Sequence, residues 1–245
     1  MFQSTKALVL REVKYKEADR ILTLFTAENG KITAKARGAL RKTSRTGAAT
    51  QMLTYADMTL FFNKGKWTVN EASVIEAFEG LKTDIAHFAL GSYFAECVEA
   101  LAVEDQSDSA LLSLALNSLY ALSRNLHDER KIKAAFELRL MSLSGYLPAV
   151  ERCAVCGRED VAEPVFDLLD GRLACRSCSR SGSAVSLDGP SLAAMRYILT
   201  APPKQLFSFE LSGEPLVTLA FAAENYLLMQ TERSFGTLDY YKQFK

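Results

Sequence analysis

The fold of this chain is decided by residues 21–36, which read Ile21-Leu22-Thr23-Leu24-Phe25-Thr26-Ala27-Glu28-Asn29-Gly30-Lys31-Ile32-Thr33-Ala34-Lys35-Ala36. Two runs rich in β-branched and apolar residues flank the Asn-Gly pair in this stretch. An Asn-Gly pair between such runs is the strongest short-range signal for a β-hairpin. The stretch therefore predicts two antiparallel strands joined by a tight turn.

Three further short strands are predicted around this hairpin. Residues 7–10 form an apolar run, and residues 58–62 and 67–70 flank a four-residue turn, Asn63-Lys64-Gly65-Lys66. Five short strands within about 75 residues fit a small closed β-barrel. Between the two hairpins, residues 38–51 are polar and basic without apolar periodicity, which predicts a mobile basic loop.

After Gly80 the pattern changes to Leu- and Ala-rich segments of helical length. Helices are predicted over residues 84–103, 109–126, 128–144, 190–199 and 215–232, with Gly236 beyond the last one. The predicted fold class is therefore multidomain α+β, with a barrel, an α-helical bundle domain and an inserted cysteine-bearing module. The corresponding domains are residues 1–80, residues 81–150 with 186–245, and residues 151–185.

The distribution of charge is uneven, although the chain as a whole is neutral. The 245 residues include 29 Lys and Arg against 29 Asp and Glu, and 49% are hydrophobic, which is typical of a soluble globular protein. Residues 1–80 carry 13 basic and 8 acidic residues, and residues 31–45 carry six bases and no acid. This asymmetry predicts a polyanionic partner.

The basic residues near the barrel are the candidate DNA contacts, because neutralising phosphates releases condensed counterions. They are Lys31, Lys35, Arg37, Arg41, Lys42, Arg45, Lys64 and Lys66. Aromatic residues on the neighbouring predicted strands are candidates for stacking on bases: Tyr55, Phe61, Phe62 and Trp67. The alternative is a solvated basic loop beside aromatic residues of the core.

Four cysteines form the sharpest local motif. Cys153 and Cys156 make one C-x2-C pair, Cys175 and Cys178 make a second, and 18 residues separate the pairs. Two such knuckles joined by a short hairpin present four thiolates in a tetrahedron, which predicts one structural Zn²⁺ in a zinc-ribbon-like module. An iron–sulfur cluster, unligated thiols and a redox site are the alternatives. Cys97, in an apolar helix, is predicted to be a packed core residue.

Catalytic motifs are scarce. His87 and His127 are the only histidines, neither accompanies a nucleophile motif, and no P-loop, dinucleotide-binding glycine pattern or zinc-protease motif occurs. We therefore expect a binding protein with no catalytic residues rather than an enzyme. No apolar signal segment and no 18-residue apolar span are found, so a cytoplasmic protein without a membrane partner is expected.

Several stretches along the chain form a specific combination of motifs. They are residues 15–26, the basic run 35–45, residues 136–141 with Gly145-Tyr146-Leu147-Pro148, the knuckle Cys153-Ala154-Val155-Cys156-Gly157, and residues 232–238. The most specific piece is the helix, the Gly-Tyr-x-Pro exit and the cysteine knuckle in that order. Together these stretches resemble the bacterial RecO family of recombination mediators over nearly the full length.

This resemblance implies an N-terminal OB-fold, a helical domain and a four-cysteine zinc module. It also implies binding of single- and double-stranded DNA, annealing of complementary strands, and partnership with RecR and the single-strand binding protein to help load RecA at gaps, in association with the nucleoid. An acidic, apolar tail of the single-strand binding protein would need a groove with bases at its rim, which makes Arg130, Lys131, Lys133 and Arg139 candidates.

Two other functions remain open on the sequence. One is a zinc-stabilised protein–protein adaptor without direct DNA binding, in which the basic loop is incidental. The other is a zinc-dependent hydrolase, which the four-thiolate ligand set disfavours because it leaves no open coordination position.

Overall fold

The structure is a computed structural model that describes residues 1–245. The chain forms two compact units, one made of residues 1–124 with 235–245 and the other of residues 125–234. No helix has both the length and the apolar character needed to cross a membrane.

The strands of the first unit are β1 (Phe2–Tyr15), β2 (Asp19–Thr26), β3 (Gly30–Ala36), β4 (Tyr55–Asn63) and β5 (Lys66–Glu76). They close into a barrel in the order β1-β2-β3-β5-β4. All neighbours are antiparallel except β3 and β5, where residues 34–36 pair in parallel with residues 67–69. A closed five-stranded barrel of this kind is an OB-fold, so the predicted N-terminal barrel is confirmed.

The remaining elements include seven α-helices, as the predicted α+β class requires. The helices are α1 (Glu79–Lys82), α2 (Ile85–Leu101), α3 (Ser109–Ser123), α4 (Glu129–Leu143), α5 (Gly189–Thr200), α6 (Gly213–Thr231) and α7 (Gly236–Lys242). A three-stranded sheet, ordered β7-β6-β8, consists of β6 (Pro164–Asp167), β7 (Arg172–Cys175) and β8 (Ala184–Ser186). The helices α1–α3 and α7 belong to the first unit, and the other elements belong to the second.

The predicted Asn-Gly hairpin joins β2 to β3. Gly30 pairs with Thr26 and has φ of 59°, in the left-handed region. A side chain there would collide with the backbone carbonyl of Gln106, so both the turn and this close approach require glycine. Alternate residues of β2 and β3, including Leu24 and Ile32, point into the apolar core of the barrel.

Residues 37–54 pack against one end of the barrel, which corrects the expectation of a mobile loop. Ala39 and Ala49 are buried in the barrel core. The Arg20 guanidinium donates to the Gly47 carbonyl at 2.7 Å, and the Leu53 N–H donates to the Val9 carbonyl at 2.9 Å. These contacts use small residues and backbone groups, so the segment shows no apolar periodicity in the sequence.

Helix α7 is an element that the sequence did not predict. Glu232, with φ of 50°, follows the end of α6, and Phe235 before α7 is 2% exposed. The Phe235 ring packs edge-on against Tyr93 of α2, with 5.7 Å between centroids. The Thr237 N–H donates to the Glu96 carboxylate at 3.1 Å. The carboxyl-terminal residues therefore complete the first unit.

We predict that Phe235→Ala lowers the free energy of unfolding of the first unit by about 3–5 kcal/mol, because it leaves a cavity beside Tyr93. Tyr240→Ala, which removes a 43%-exposed ring from α7, should cost less than about 1 kcal/mol. Denaturant titration followed by the fluorescence of Trp67 measures both, since Trp67 is the only tryptophan and lies in this unit. Equal losses in the two variants would contradict this role of Phe235.

Candidate metal site and nucleic-acid interface

The four predicted cysteine ligands lie together. The sulfur atoms of Cys153, Cys156, Cys175 and Cys178 are all within 4.8 Å of one another, and those of Cys156 and Cys175 are 3.8 Å apart. A tetrahedral thiolate shell with metal–sulfur bonds of about 2.3 Å places its sulfurs about 3.8 Å apart. The cluster is therefore close to the size that a bound metal ion requires, and it could bind one.

Two turns and a hairpin assemble this cluster. The Gly157 N–H donates to the Cys153 carbonyl at 2.9 Å and the Cys178 N–H donates to the Cys175 carbonyl at 2.9 Å, which forms the two knuckles. Gly157 has φ of 75°, a conformation that favours glycine. The predicted hairpin is confirmed as β6 and β7, whereas β8 was not predicted. The β6–β7 hairpin brings the second knuckle to the first, and the Cys175 N–H points at the Cys153 sulfur at 3.3 Å.

Neighbouring groups push the thiol pKa values apart. Backbone N–H groups of Cys156 and Cys175 lower the pKa of Cys153 to about 6. Burial, together with the sulfurs of Cys153 and Cys156, raises the pKa of Cys175 to about 12. Four thiols at this separation cannot all ionise without a cation, because each thiolate disfavours the next. The site has the chemistry of a metal-binding cluster with four soft ligands.

We predict that Cys175→Ser lowers the bound metal from one ion per chain to none, because a hydroxyl is a poor substitute for a thiolate. Cys97→Ala is the control, since Cys97 lies in α2, outside the cluster, and its change should leave the metal content intact. Elemental analysis of the purified proteins measures both. Unchanged metal content in Cys175→Ser would refute the ligand assignment.

Lys35, one of the candidate DNA-contacting residues, lies in a cluster with Asp19 and Tyr15 at the end of β3. The Lys35 ammonium lies 2.8 Å from the Asp19 carboxylate and 4.8 Å from the centre of the Tyr15 ring. The Lys16 ammonium lies 5.6 Å from the same ring. Arg37 follows directly and is exposed. Tyr15 and Lys16 were not among the predicted site residues, although the structure places both beside Lys35 or its ring contact. Their position between the first two predicted strands was a usable signal.

The β4–β5 hairpin stands near the beginning of β3. Its turn has two residues, Lys64 and Gly65, rather than the predicted four, because Asn63 and Lys66 still pair. Both turn residues have positive φ, 48° and 74°, which is the type I′ geometry that suits a hairpin. Lys64 and Lys66 are exposed at its tip.

The predicted basic residues do not all share one surface. Arg37, Arg41 and Lys42 are exposed and form no ion pair with the protein. Lys31 instead donates through its ammonium to the Glu99 carbonyl of α2 at 2.9 Å. Arg45 lines a different cleft, together with Asp57, Glu71 and residues of β1 and β4.

Of the predicted aromatic residues, Phe62 is the most accessible, at 40% exposure. Its ring centroid lies 4.7 Å from that of the half-buried Trp67. Phe61 packs on Phe2 at 4.8 Å on another part of the barrel, and Tyr55 is half-buried.

Three of the four residues predicted to bind the tail of the single-strand binding protein are buried or already bonded to other groups of the second unit. Lys131 and Lys133 are 5% and 4% exposed. The Lys133 ammonium lies 2.7 Å from both Glu137 and Glu224, and the Arg139 guanidinium donates to backbone carbonyls at the end of α5. That expectation is corrected for these three, because an acidic tail needs an accessible charge. Arg130 is exposed.

We predict that Lys133→Ala lowers the free energy of unfolding by about 3–5 kcal/mol, because it leaves the buried Glu137 without its ammonium. Arg130→Ala should cost less than about 0.5 kcal/mol. Burial alone would lower the pKa of Lys133. The charges of Glu137 and Glu224 outweigh this effect and raise the pKa above 10.5. The Lys133 contribution is therefore present below pH 10.5 and lost as the pH rises beyond the raised pKa. Urea unfolding followed by circular dichroism at neutral and alkaline pH measures the stability of both variants. Equal stability of Lys133→Ala and Arg130→Ala would contradict this role of Lys133.

The OB-fold barrel, the helices and the four-cysteine cluster define a class of protein that combines an oligonucleotide-binding fold with a metal-binding module. Residues 1–78 match the family described as Recombination protein O N terminal, and residues 82–239 match Recombination protein O C terminal. The chain belongs to the RecO family, and this membership supports a role in DNA repair.

Individual relatives agree with this assignment. The chain is 35% identical to the DNA repair protein RecO of Acetivibrio thermocellus, covering 98% of this chain and 96% of the relative. It is 32% identical to the protein of the same name from Symbiobacterium thermophilum, covering 95% and 94%. It is 29% identical to that from Alkaliphilus metalliredigens, covering 99% and 100%.

Proposed function

We propose that the protein is a DNA-binding recombination mediator of the bacterial cytoplasm that acts at the nucleoid without catalysing a reaction. It binds single- and double-stranded DNA and anneals complementary strands. With RecR, it helps to load RecA onto gaps coated by the single-strand binding protein. The observation that carries the proposal is the exposed, unpaired group Arg37, Arg41 and Lys42 on an OB-fold barrel of the RecO family.

The barrel contributes both fixed and adaptable cations. Asp19 holds Lys35 beside Tyr15, so this ammonium is oriented before DNA arrives. Arg37 and Arg41 have no acidic partner to give up, so contact with phosphate releases counterions without breaking an ion pair. Arginine also forms two parallel hydrogen bonds with a phosphate. Lys64 and Lys66 extend the cationic surface along β3 to the hairpin tip.

Annealing needs no nucleotide hydrolysis in this proposal. Two complementary strands repel each other through their phosphates, and a cationic surface that binds either strand lowers this repulsion and raises the local strand concentration. The exposed side chains of Arg37, Arg41 and Lys42 supply the charge. The same phosphate contacts carry no sequence information, so both single and double strands are substrates.

We propose that the ion at the cysteine cluster is one Zn²⁺ with a structural role. Zn²⁺ is redox-inactive and accepts four thiolates in a tetrahedron, and four protein ligands leave no position for a substrate. When bound, the metal cross-links the knuckles at Cys153 and Cys175. These knuckles lie in a segment of short strands whose fully buried Phe166 packs on Tyr226 of α6. A metal is a common stabilising device for so small a segment.

A protein–protein adaptor without direct DNA binding is the second candidate. It is favoured by the exposed apolar side chains Val155 and Leu169 at the cysteine module, which are 68% and 63% exposed. An adaptor would still bind its partner RecR, but it would not change the electrophoretic mobility of DNA at moderate salt.

We predict that Arg37→Ala with Arg41→Ala weakens binding of a single-stranded oligonucleotide and reduces the slope of log affinity against log salt by about 1–2. Electrophoretic mobility shift at two salt concentrations measures both quantities. Lys204→Ala with Arg233→Ala removes the same charge from exposed positions in the second unit and should change neither. Unchanged affinity and slope in the Arg37 and Arg41 variant would remove this surface from the proposal.

A further inference from the structure

We propose that a cleft between the β4–β5 hairpin and the segment after α2 binds one unpaired nucleobase and prefers bases that carry an exocyclic amine. The inference rests on the proposed DNA binding and adds a base-selective subsite to it. The cleft has a volume of about 330 Å³ and lies entirely within the first unit.

The first wall is aromatic. Phe62 and Trp67 pair across the hairpin with centroids 4.7 Å apart, and Phe62 keeps 40% of its surface exposed. A nucleobase can stack on such a ring, and each stacked base contributes about 1–3 kcal/mol. A base paired inside a duplex has both faces covered by its neighbours. This wall therefore selects single strands or the unpaired end of a duplex.

The opposite wall carries two carboxylates, Glu104 and Asp105, both exposed. Backbone contacts fix this segment against the start of β3. Gly30 and Glu104 form a β-bridge, and the Asp105 N–H faces the Lys31 carbonyl at 3.4 Å. Asp105 has φ of 56°, which re-aims the chain at this point. The backbone of this segment is thus fixed, and it keeps Glu104 and Asp105 on the lining of the cleft that Phe62 and Trp67 also line.

Two carboxylates beside an aromatic wall discriminate among bases by hydrogen bonding. A carboxylate only accepts, and cytosine, adenine and guanine each offer an exocyclic amine to it. Thymine offers a single N–H flanked by two carbonyl oxygens, which repel a carboxylate. Thr33, which also lines the cleft, is exposed and polar, and its hydroxyl can bond to any base.

The charge around the cleft favours a nucleotide over a free cationic ligand. Lys64 and Lys66 stand exposed at the tip of the same hairpin, where they can meet the phosphates on either side of the stacked base. A cationic small molecule would be attracted by the carboxylates but would leave the two ammonium groups without an anionic partner. A nucleotide in a strand satisfies the lysines with its phosphates and the carboxylates with its amine.

The experiment titrates the full chain with a cytosine and a thymine oligonucleotide of about 12 nucleotides, within the site size of one OB-fold. Mildly alkaline buffer prevents cytosine strands from associating with each other. End-label anisotropy reports total binding, and the emission of Trp67, the only tryptophan, reports stacking in the cleft. We expect Trp67 quenching with both strands and about fivefold tighter binding of the cytosine strand, the lower end of the range for a base contact.

Two variants separate the walls. Glu104→Gln with Asp105→Asn should abolish the cytosine preference without weakening thymine binding, and asparagine tolerates positive φ at position 105. Asp57→Asn with Glu71→Gln is the matched control, because it removes the same two charges from exposed positions on another face of the barrel and should keep the preference. Phe62→Leu keeps an apolar side chain but removes the exposed ring, and should weaken the binding of both oligonucleotides about fivefold.

The outcomes distinguish this inference from the proposed function. If anisotropy shows binding that depends on Arg37 and Arg41 but Trp67 emission stays unchanged, or both strands bind equally in the wild type, the subsite is overturned and DNA binding stands. If neither strand binds at low salt, the proposed function itself fails. A cytosine preference that survives Glu104→Gln with Asp105→Asn would overturn the role of the carboxylates.

Discussion

The parallel pairing of β3 with β5 is the constraint on which the first unit depends. It joins only residues 34–36 to residues 67–69, yet it closes the barrel. Because this pairing is parallel, the β4–β5 hairpin stands beside the start of β3, and residues 37–54 leave from the other end. The aromatic cleft, near the start of β3, and Lys35, near its end, therefore lie along one strand. Lys31 and Lys35 are about 13 Å apart along it, roughly the reach of a few nucleotides.

Internal pairing decides which cations remain available. Hydrogen bonds from Lys35 and from the Gly38 N–H lower the pKa of Asp19, so this carboxylate stays charged and holds the end of β3. Lys31 and Lys133 are also engaged within the protein, by a backbone carbonyl and by buried carboxylates. The arginines after β3 are left exposed and unpaired. A count of basic residues therefore overstates the number of free cations, because Lys31 and Lys35 already have partners within the protein whereas Arg37, Arg41 and Lys42 do not.

The sequence predicted the features that arise from short-range patterns. The Asn29-Gly30 hairpin, the helices and the two cysteine knuckles each depend on local residue types and spacing, and the structure confirms them. It could not predict the contacts that depend on tertiary packing. Helix α7 is too short to show periodicity, and its place is set by Phe235 against a helix far earlier in the chain. The segment at residues 37–54 is likewise held by alanines and backbone groups, which resemble an ordinary loop in the sequence.

Hydrogen–deuterium exchange of the full chain, with and without a single-stranded oligonucleotide, tests the central claim most directly. If the outer surface of the barrel along β3 is the DNA interface, exchange should slow in peptides that contain the β1–β2 turn, residues 35–42 and the hairpin at residues 62–67. Residues 125–234 should change little. Protection confined to residues 125–234, with the barrel peptides unchanged, would contradict the account.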